Sequence, residues 1–395
     1  MSARAARLDD VCEINPRMPK SLSDDEIAVF LPMAAVSENG QIDFEEERPI
    51  SEVKKGYTYF ERGDVLVAKI TPCFENGKAA RTHSLARPIG FGSTEFHVLR
   101  ASKEIDPSYL FHLIWNSKFR EVGASNMTGS AGQKRVPADF LKRLEIPLPP
   151  LDEQRRIAAI LDKADALRRK RKSTLDLLDA LTQSIFLEMF GDPVSNPRDW
   201  PLVRMRSIAT KIGSGATPTG GDAAYQSIGI SLVRSMNVRD EGFLPKGLAF
   251  INEAQAAKLA NVNLEAGDVL LNITGASVAR VCICPSDILP ARVNQHVSII
   301  RLREPHLNEY VAAALKMPAM KAKLLGVAES GATRQAITKA QIEQLVLTLP
   351  PNNEILKYNS LIEIHRLSHK LASNCFQRSE SLFSSLQSRA FSGQL

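Results

Sequence analysis

Polar side chains that can contact nucleic acid recur at corresponding places in the two halves of the chain. The first half supplies Lys69, Thr71, Lys78, Arg81, Gln133, Lys134 and Arg135. The second half supplies Asn272, Thr274, Arg280, Arg292, Asn294, Gln295, His296, Arg334 and Gln335. Arginine pairs with the edge of guanine, asparagine and glutamine pair with adenine, and lysine contacts phosphate. Each residue could equally be an ordinary surface residue, so the prediction of a DNA-binding surface depends on the whole set.

Motifs for catalysis or metal binding do not accompany these residues. The sequence contains no GxxxxGK(S/T) phosphate loop, no HExxH and no GxSxG. His365 and His369 are four residues apart, but Arg-Leu-Ser separates them, so we interpret them as exposed helical histidines. The glycine-rich segment 213–221 lacks the lysine of a phosphate loop and is interpreted as a surface loop. We therefore expect this chain to be non-catalytic and to bind no metal or cofactor.

Two alternatives remain open on these residues. The chain could be a nuclease or methyltransferase with unfamiliar motifs, or a protein-binding scaffold with two heads. Asp64 and Asp268 could in principle belong to a nuclease site, but each follows a glycine at a predicted strand start. We interpret both aspartates as turn residues.

The elements that position these residues are repeated along the chain. Leu148-Pro149-Pro150 opens a long helical pattern that ends at Phe190-Gly191, and Leu349-Pro350-Pro351 opens a second that ends at Phe391. The offset between the proline pairs equals the offset between the closing phenylalanines, so the two patterns have the same length. Before each pattern lies a segment rich in strand signals. The chain therefore alternates between a variable segment and a long helix, twice.

The two variable segments follow one order of elements. Alternating apolar residues predict strands at 64–70 and 95–100 in the first, and at 267–274 and 297–302 in the second. A helix is predicted after each pair of strands, at 106–115 and 307–325, followed by a loop of small and basic residues at 128–135 and 329–335. This order predicts an α+β fold class, with two globular domains of the same fold. The predicted boundaries are 1–147 and 192–348 for the domains, and 148–191 and 349–395 for the helices.

Both long helices carry an apolar stripe. Ile157, Leu161 and Leu175 of the first helix belong to a series with three- and four-residue steps, and Leu361, Leu367 and Leu371 of the second follow the same rule. A helix of this length cannot bury its stripe alone. We expect the two helices to join and space the domains as an antiparallel coiled coil.

Whole-chain properties limit the class of protein. The 395 residues suffice for two or three domains, and the formal net charge of +6 is compatible with a polyanionic partner without requiring one. The five cysteines lack metal-binding spacing and are expected to be reduced thiols. There is neither a secretory signal nor an apolar run long enough to span a membrane. A cytoplasmic location is therefore expected, without a membrane partner.

The segment Leu148-Pro149-Pro150-Leu151-Asp152-Glu153-Gln154, leading into a helix that ends Phe190-Gly191-Asp192, resembles the conserved region of the specificity subunits of type I restriction-modification systems. The resemblance extends over essentially the whole chain, including the repeated Gly-Asp-Val-Leu at 63–66 and 267–270 and the C-terminal segment 389–395. It implies two target recognition domains, each reading one half of a split double-stranded DNA sequence.

The resemblance also implies partner subunits. Two modification subunits would bind S-adenosylmethionine and methylate adenine, and restriction subunits would use ATP and Mg²⁺ and cut DNA. The residues expected at the subunit contacts are Leu151, Glu153, Gln154, Ile157, Leu161, Glu354, Tyr358 and Leu361. The second copy reads Asn352-Asn353-Glu354-Ile355-Leu356 where the first has Leu151-Asp152-Glu153-Gln154-Arg155. Equal engagement of the two modification subunits is therefore an open question.

Overall fold

The computed structural model describes residues 4–130, 132–218, 220–221, 225–329 and 336–395. The chain divides into two compact units. The first unit comprises Met1–Ser173 and Asn374–Leu395, and the second comprises Thr174–Ser373. Both boundaries fall inside the long helices, so each helix is divided between the two units.

The first unit contains a domain that begins and ends in a pair of strands. Strand β1 (Arg4–Arg7) pairs antiparallel with β10 (Glu145–Leu148). Between them lie α1 (Leu8–Val11), β2 (Cys12–Ile14), β3 (Ile27–Leu31), β4 (Glu46–Pro49), α2 (Ile50–Val53), β5 (Thr58–Glu61), β6 (Val65–Ala68), β7 (Ala79–Arg81), β8 (Ile89–Gly92), β9 (Phe96–Ala101), α3 (Pro107–Trp115), α4 (Ser117–Ser125) and α5 (Ala138–Arg143). One sheet has the order β2–β9–β6–β7 and is antiparallel throughout. The other has the order β4–β3–β8–β5, in which β3 and β8 are parallel.

The main core of the first unit lies between the antiparallel sheet and α3. Val65 and Val67 of β6 are buried in the same cluster as Phe111 and Ile114 of α3. The helix starts at Pro107 because Asp106 caps it, accepting hydrogen bonds from two backbone N–H groups of the first turn. Helix α6 (Leu151–Phe190) contributes residues to this cluster from its first half. The sheet thus faces both α3 and a long helix.

The second unit contains a domain that is again closed by a pair of strands. Strand β11 (Leu202–Arg204) pairs antiparallel with β21 (Val346–Thr348). Between them lie α7 (Met205–Ile208), β12 (Ala209–Ser214), β13 (Ile230–Val233), β14 (Val238–Arg239), β15 (Gly242–Phe243), β16 (Ala249–Ile251), α8 (Glu253–Lys258), β17 (Val269–Asn272), β18 (Val281–Ile283), β19 (Ala291–Val293), β20 (Val297–Leu302), α9 (Leu307–Lys316), α10 (Pro318–Glu329) and α11 (Lys339–Gln344). The sheets have the orders β12–β20–β17–β18, β16–β13–β19 and β14–β15.

The two domains share one fold, which confirms the predicted α+β class. Each has an antiparallel sheet with corresponding strand order, and each has a second sheet with a parallel pair, β3 with β8 and β13 with β19. A tyrosine hydroxyl of the helix after the sheet donates to the terminal strand in both, Tyr109 to the carbonyl of Pro147 and Tyr310 to that of Thr348. The helix predicted at 307–325 is wrong in one respect, because it is divided at Met317 ahead of Pro318.

Helix α12 (Asn352–Phe391) runs antiparallel to α6 within the first unit. The guanidinium of Arg168 forms an ion pair with Glu380 at 3.0 Å, and Arg171 donates to the carbonyl of Cys375 at 2.8 Å. Farther toward the start of α6, Arg156 donates to the carbonyl of Leu395 at 2.9 Å. Higher residue numbers in α6 therefore pair with lower residue numbers in α12, as the predicted antiparallel pairing requires.

The second unit contains the other half of each long helix, and these halves are also antiparallel. His365 contacts the carbonyl of Leu178 through Nε2 at 2.7 Å, and His369 contacts Asp179 at 2.9 Å. Phe186 and Phe190 pack on Tyr358 with ring centroids 5.9 and 5.3 Å apart. The two histidines are thus not free on the helix surface, as the sequence had suggested, but bridge the helices.

The apolar stripes are only partly buried by this pairing. In α12, the exposed fractions of Ile364, Leu367 and Leu371 are 61%, 58% and 66%. The stripe of α12 is therefore available for contact beyond its own unit core. Within the part of the chain that the structure describes, no helix is long and apolar enough to cross a membrane.

Candidate nucleic-acid interface

The loop that connects α4 to α5 in the first unit is held by its backbone on two sides. The N–H groups of Thr128 and Arg135 donate to each other's carbonyls at 3.0 and 2.8 Å. The N–H of Thr71 donates to the carbonyl of Lys134, and the N–H of Val136 donates to that of Lys69, at 2.9 and 2.8 Å. The segment 69–71 and the segment 133–135 therefore lie side by side, as the prediction of one surface requires.

Side chains of opposite charge meet at this place. Arg135 donates to Glu95 from Nε at 2.9 Å and from Nη2 at 2.8 Å. The hydrogen bond from Arg135 holds the pKa of Glu95 below its usual value, although partial burial opposes this shift. Gln133 and Lys134 are exposed, and Lys69 is half-buried next to Glu95. The result is a polar surface with an excess of positive charge, defined here as the first loop surface: Lys69, Thr71, Glu95, Gln133, Lys134 and Arg135.

Two residues predicted for this surface have other roles in the structure. Lys78 donates from Nζ to the carbonyl of Met33 at 3.1 Å. Arg81 pairs with Asp162 of α6 at 2.9 Å, and the side chain of Arg81 is only 18% exposed. Burial opposes ionisation of Asp162, but hydrogen bonds from His112 and Arg81 outweigh it and lower the pKa of Asp162 to about 2. Arg81 therefore ties the domain to the long helix, and its DNA contact stays an untested prediction.

The second unit has a polar surface at the corresponding place. The hydroxyl of Thr274 contacts Nδ1 of His296, and Nε2 of His296 lies 3.2 Å from Nε2 of Gln295. The hydroxyl of Thr217 donates to Oε1 of Gln295. Gly215 allows this loop to approach, because a Cβ there would lie 1.7 Å from the carbonyl oxygen of Val293. These contacts define the second loop surface: Thr217, Thr274, Gln295 and His296.

Other predicted residues of the second unit lie beneath this surface or outside the described residues. Asn272 is fully buried and donates to the carbonyl of Ser235 at 2.9 Å. Asn294 is 7% exposed and accepts from the N–H of His296. The guanidinium of Arg292 donates to the backbone carbonyls of Ala256 and Ala291, and burial lowers the pKa of Arg292. Asn272, Asn294 and Arg292 therefore support the loops, and their DNA contacts stay untested predictions. Arg280 is half-buried, and Arg334 and Gln335 lie outside the described residues.

The two loop surfaces occupy equivalent positions in the fold. The N–H of Lys69 donates to the carbonyl of Glu95, as the N–H of Ile273 donates to that of His296, both at 2.9 Å. The N–H groups of Val136 and Ile337 close each arrangement by donating to the carbonyls of Lys69 and Ile273. Equivalent backbone thus presents Glu95 in one domain and His296 in the other. The two domains have the same framework and different polar side chains on it.

Each domain also contains a buried ion pair that the sequence did not predict. The pair lies at the C-terminal end of β9 in the first domain and of β20 in the second, away from the loop surface. Asp64 is 2% exposed and accepts from Nε and Nη2 of Arg100 at 2.9 and 2.8 Å. Asp268 is also 2% exposed and accepts from Arg301 at 2.8 Å through both oxygens. Both aspartates also accept a backbone N–H of the turn, which agrees with their interpretation as turn residues. The signal in the sequence was an arginine in each second strand.

The residues expected at subunit contacts divide into two groups. Gln154 is fully buried, and its amide is hydrogen-bonded to the carbonyls of Glu104 and Pro149 and to the N–H of Asp106. Ile157, Leu161 and Tyr358 are at most 4% exposed. These four side chains pack inside their own unit, which leaves them little surface for the predicted contact with another subunit. The residues that remain reachable from solvent are Leu151, Glu153, Glu354 and Leu361.

The sequence difference between the two copies at the start of the long helices has structural consequences that differ by position. The N–H of Gln154 donates to the carbonyl of Pro150, and the N–H of Ile355 donates to that of Pro351, so the two residues are equivalent. Both are fully buried. The change from glutamine to isoleucine therefore alters internal packing, whereas the change from Leu151 to Asn352 alters the surface.

Each unit therefore carries a domain of the same fold with its own loop surface, attached to paired halves of the long helices. Groups of histidine, cysteine, aspartate and glutamate able to hold a metal ion are not found among the residues that the structure covers. The thiols of Cys12, Cys282 and Cys284 are buried, and burial raises the pKa of each to about 12. These thiols are therefore protonated near neutral pH and are unsuited to nucleophilic chemistry.

Comparison with known proteins identifies the family of the first domain. Residues 5–177 match the family model of the type I restriction modification DNA specificity domain. The resemblance found in the sequence is therefore confirmed over this part of the chain.

Individual relatives agree with this assignment. The chain is similar to the type I restriction enzyme EcoAI specificity subunit of Escherichia coli, with 42% identity over 185 residues, which are 45% of this chain and 31% of that protein. It is also similar to the putative type I restriction enzyme MjaX specificity subunit of Methanocaldococcus jannaschii, with 25% identity covering 77% of this chain and 73% of that protein. The match thus spans less than a third of the length of the first of these relatives.

A solved structure extends the likeness in fold to the whole chain. A chain from a structural study of complex assembly and conformational transition of the type I R-M system has a TM-score of 0.63. Its sequence identity is 21%, and the match covers 100% of this chain and 98% of that chain. At this identity the match shows the fold alone, and it includes both domains and both long helices.

Proposed function

We propose that this chain is the DNA sequence-recognition subunit of a type I restriction-modification complex. Each of its domains reads one half of a split double-stranded DNA sequence through its loop surface. The chain is not catalytic: two modification subunits bind S-adenosylmethionine and methylate adenine, and restriction subunits use ATP and Mg²⁺ to cut. It functions in the cytoplasm.

The observation that supports this proposal most strongly is the equivalence of the two loop surfaces. Equivalent backbone carries Glu95 in one domain and His296 in the other, and Ala336 stands at the position of Arg135. Glu95 is paired with Arg135, whereas His296 lies beside Gln295. Side chains that differ in donor and acceptor pattern on one framework are suited to reading different base edges. A scaffold that bound the same protein partner twice would have no need of such a difference.

The test is DNA binding and methylation by the complex reconstituted from this chain and its modification subunits. We expect methylation of adenine in one split sequence, and a DNA affinity whose logarithm falls linearly with the logarithm of salt concentration, because phosphate contacts release counterions. The purified chain alone, with DNA, Mg²⁺ and S-adenosylmethionine, should neither cut nor methylate. The absence of a salt-dependent DNA affinity would indicate a protein-only scaffold. Cutting or methylation by the chain alone would indicate an enzyme.

The exposed stripe of α12 is the surface we assign to a modification subunit. Ile364, Leu367 and Leu371 are each more than half exposed, and apolar side chains in such a row favour contact with another protein. Burying one of these side chains contributes about 1.5–3 kcal/mol. The variant Leu367→Asp should therefore weaken subunit binding by roughly 10-fold or more.

Binding of the modification subunit to the Leu367→Asp variant is measured by titration of the purified subunit. Ile228 is 83% exposed and lies in the second unit outside the long helices, so Ile228→Asp is the matched control. The control should bind with unchanged affinity. Equal affinities of Leu367→Asp and the parent chain would exclude this stripe as the docking surface.

A further inference from the structure

The guanidinium of Arg135 is held in one orientation by groups on two segments of the chain. Glu95, the residue before β9, accepts from Nε at 2.9 Å and from Nη2 at 2.8 Å. The carbonyl of Gln133 accepts from Nη1 at 3.0 Å. The backbone of Arg135 is itself fixed by Thr128, so the side chain starts from a rigid position. Little conformational freedom remains for this side chain to lose on binding a ligand.

Among the described residues, the contacts leave a defined pair of Arg135 donors without an acceptor. A guanidinium has five N–H groups in a planar fork. Glu95 and Gln133 accept from Nε, from Nη2 and from Nη1, which leaves one N–H on each of the two terminal nitrogens. The side chain of Arg135 is 41% exposed, so this end of the fork reaches solvent. Two N–H groups on neighbouring nitrogens match two acceptors that lie side by side.

Guanine offers such a pair in the major groove, through O6 and N7. A phosphate also has adjacent acceptors, but its attraction to an arginine depends on net positive charge. The carboxylate of Glu95 cancels the charge of Arg135, and it would repel a phosphate placed beside it. A base edge carries only partial charges and is bound by geometry. The neighbouring Lys69 and Lys134 are the groups suited to phosphate.

Resting on the proposed function, we infer that Arg135 reads a guanine in the half-site of the first domain, and that Glu95 is its positioning residue. The second domain has His296 at the position of Glu95, beside Gln295, so this pair belongs to the first half-site only. The inference names one base in a sequence that the fold alone leaves open. It also predicts that loss of the carboxylate changes base preference without any contact between Glu95 and DNA.

The experiment uses the complex of the full chain with its modification subunits and a DNA library randomised over both half-sites. Methylated molecules are sequenced, and the preference for each base is obtained at each position. The parent complex should require guanine at one position of the first half-site. In Arg135→Ala and Arg135→Lys this preference should fall by roughly 10- to 100-fold, because lysine keeps the charge but lacks the fork. In Glu95→Gln it should fall by a smaller factor, while all other positions keep their preferences.

The matched control is a second ion pair of the same geometry in the same unit. Arg87 donates to Glu47 from Nε at 2.8 Å and from Nη2 at 3.2 Å, and both side chains are 47% exposed. Arg87→Lys and Glu47→Gln should leave every base preference unchanged. Thermal unfolding of all variants identifies loss of folding, and Glu95→Gln keeps size and shape should Arg135→Ala prove unstable.

Three results would overturn the inference while leaving the proposed function intact. They are a first half-site without guanine, an Arg135→Lys complex with unaltered guanine preference, and a uniform loss of affinity with a smaller salt slope, which would mark a phosphate contact. A parent complex that methylates no preferred sequence would instead contradict the proposed function itself. The two failures are thus separable in one experiment.

Discussion

Replacing residues 4–148 with the corresponding segment of a related specificity subunit is expected to change one half of the recognised DNA sequence and to leave the other half unaltered. The segment begins with β1 and ends with β10, which pair with each other, so its two ends lie together. It carries the whole first loop surface. Each mismatched base pair costs about 1–3 kcal/mol. Preference for the original half-site of several base pairs should therefore fall by roughly a thousandfold or more.

The exchange requires that the new domain fits α6. Gln154 bonds to the backbone at Glu104 and Asp106, and Asp162 bonds to His112 and Arg81. The donor segment should therefore keep the histidine and arginine that face Asp162. The reciprocal exchange of residues 202–348, bounded by β11 and β21, should change only the other half. Sequencing of methylated DNA decides the matter, and simultaneous change of both halves by either exchange would refute independent reading.

Asp64→Asn is expected to lower the free energy of unfolding of the first unit by about 3–5 kcal/mol. The carboxylate is buried, and both its oxygens accept from Arg100. The asparagine keeps the size of the side chain but removes its charge and turns an amide donor toward the guanidinium. Arg100 then stays partly buried beside Glu61 without its main partner. The hydrogen bonds that Arg100 donates to Asp64, which raise the pKa of Arg100, are lost at the same time.

Urea unfolding followed by circular dichroism measures the effect, with the two units fitted as separate transitions where they do not coincide. Asp152→Asn is the matched control, because the Asp152 side chain is 98% exposed in its pair with Arg155. Such surface pairs contribute about 0–1 kcal/mol. The equivalent variant Asp268→Asn should destabilise the second unit to a similar extent. A loss below about 1 kcal/mol for both buried aspartates would mean that neither pair stabilises its domain.

Features encoded by neighbouring residues could be predicted from the sequence. The long helices can be predicted from apolar residues at three- and four-residue steps. A glycine with positive φ also follows the C-terminal end of each helix, Gly191 after the first and Gly393 after the second. The repeated Gly-Asp turn before an apolar run marks β6 and β17. These signals lie within one element, so they need no knowledge of the partner element.

Features that depend on partners far apart in the chain could not be predicted. Gln154, Ile157 and Leu161 are predicted from the sequence to lie at subunit contacts, but they are buried within the first unit. Arg81 looks like a free cation, but Asp162 lies 81 residues away along the chain and faces it. In the other direction, Ile364 and Leu367 look like residues of a buried seam and are exposed. Periodicity identifies an apolar face and does not say what covers it.

The alternation of two α+β domains with two helices of equal length can be predicted from the sequence alone, because turns, periodicity and repeats act over a few residues. The sequence also predicts basic and amide side chains on the loops. Which of these side chains are free depends on the tertiary structure. Backbone hydrogen bonds between segments distant in the chain brought Glu95 beside Arg135 and buried Asn272, and burial and pairing determine whether a polar side chain can bind another molecule.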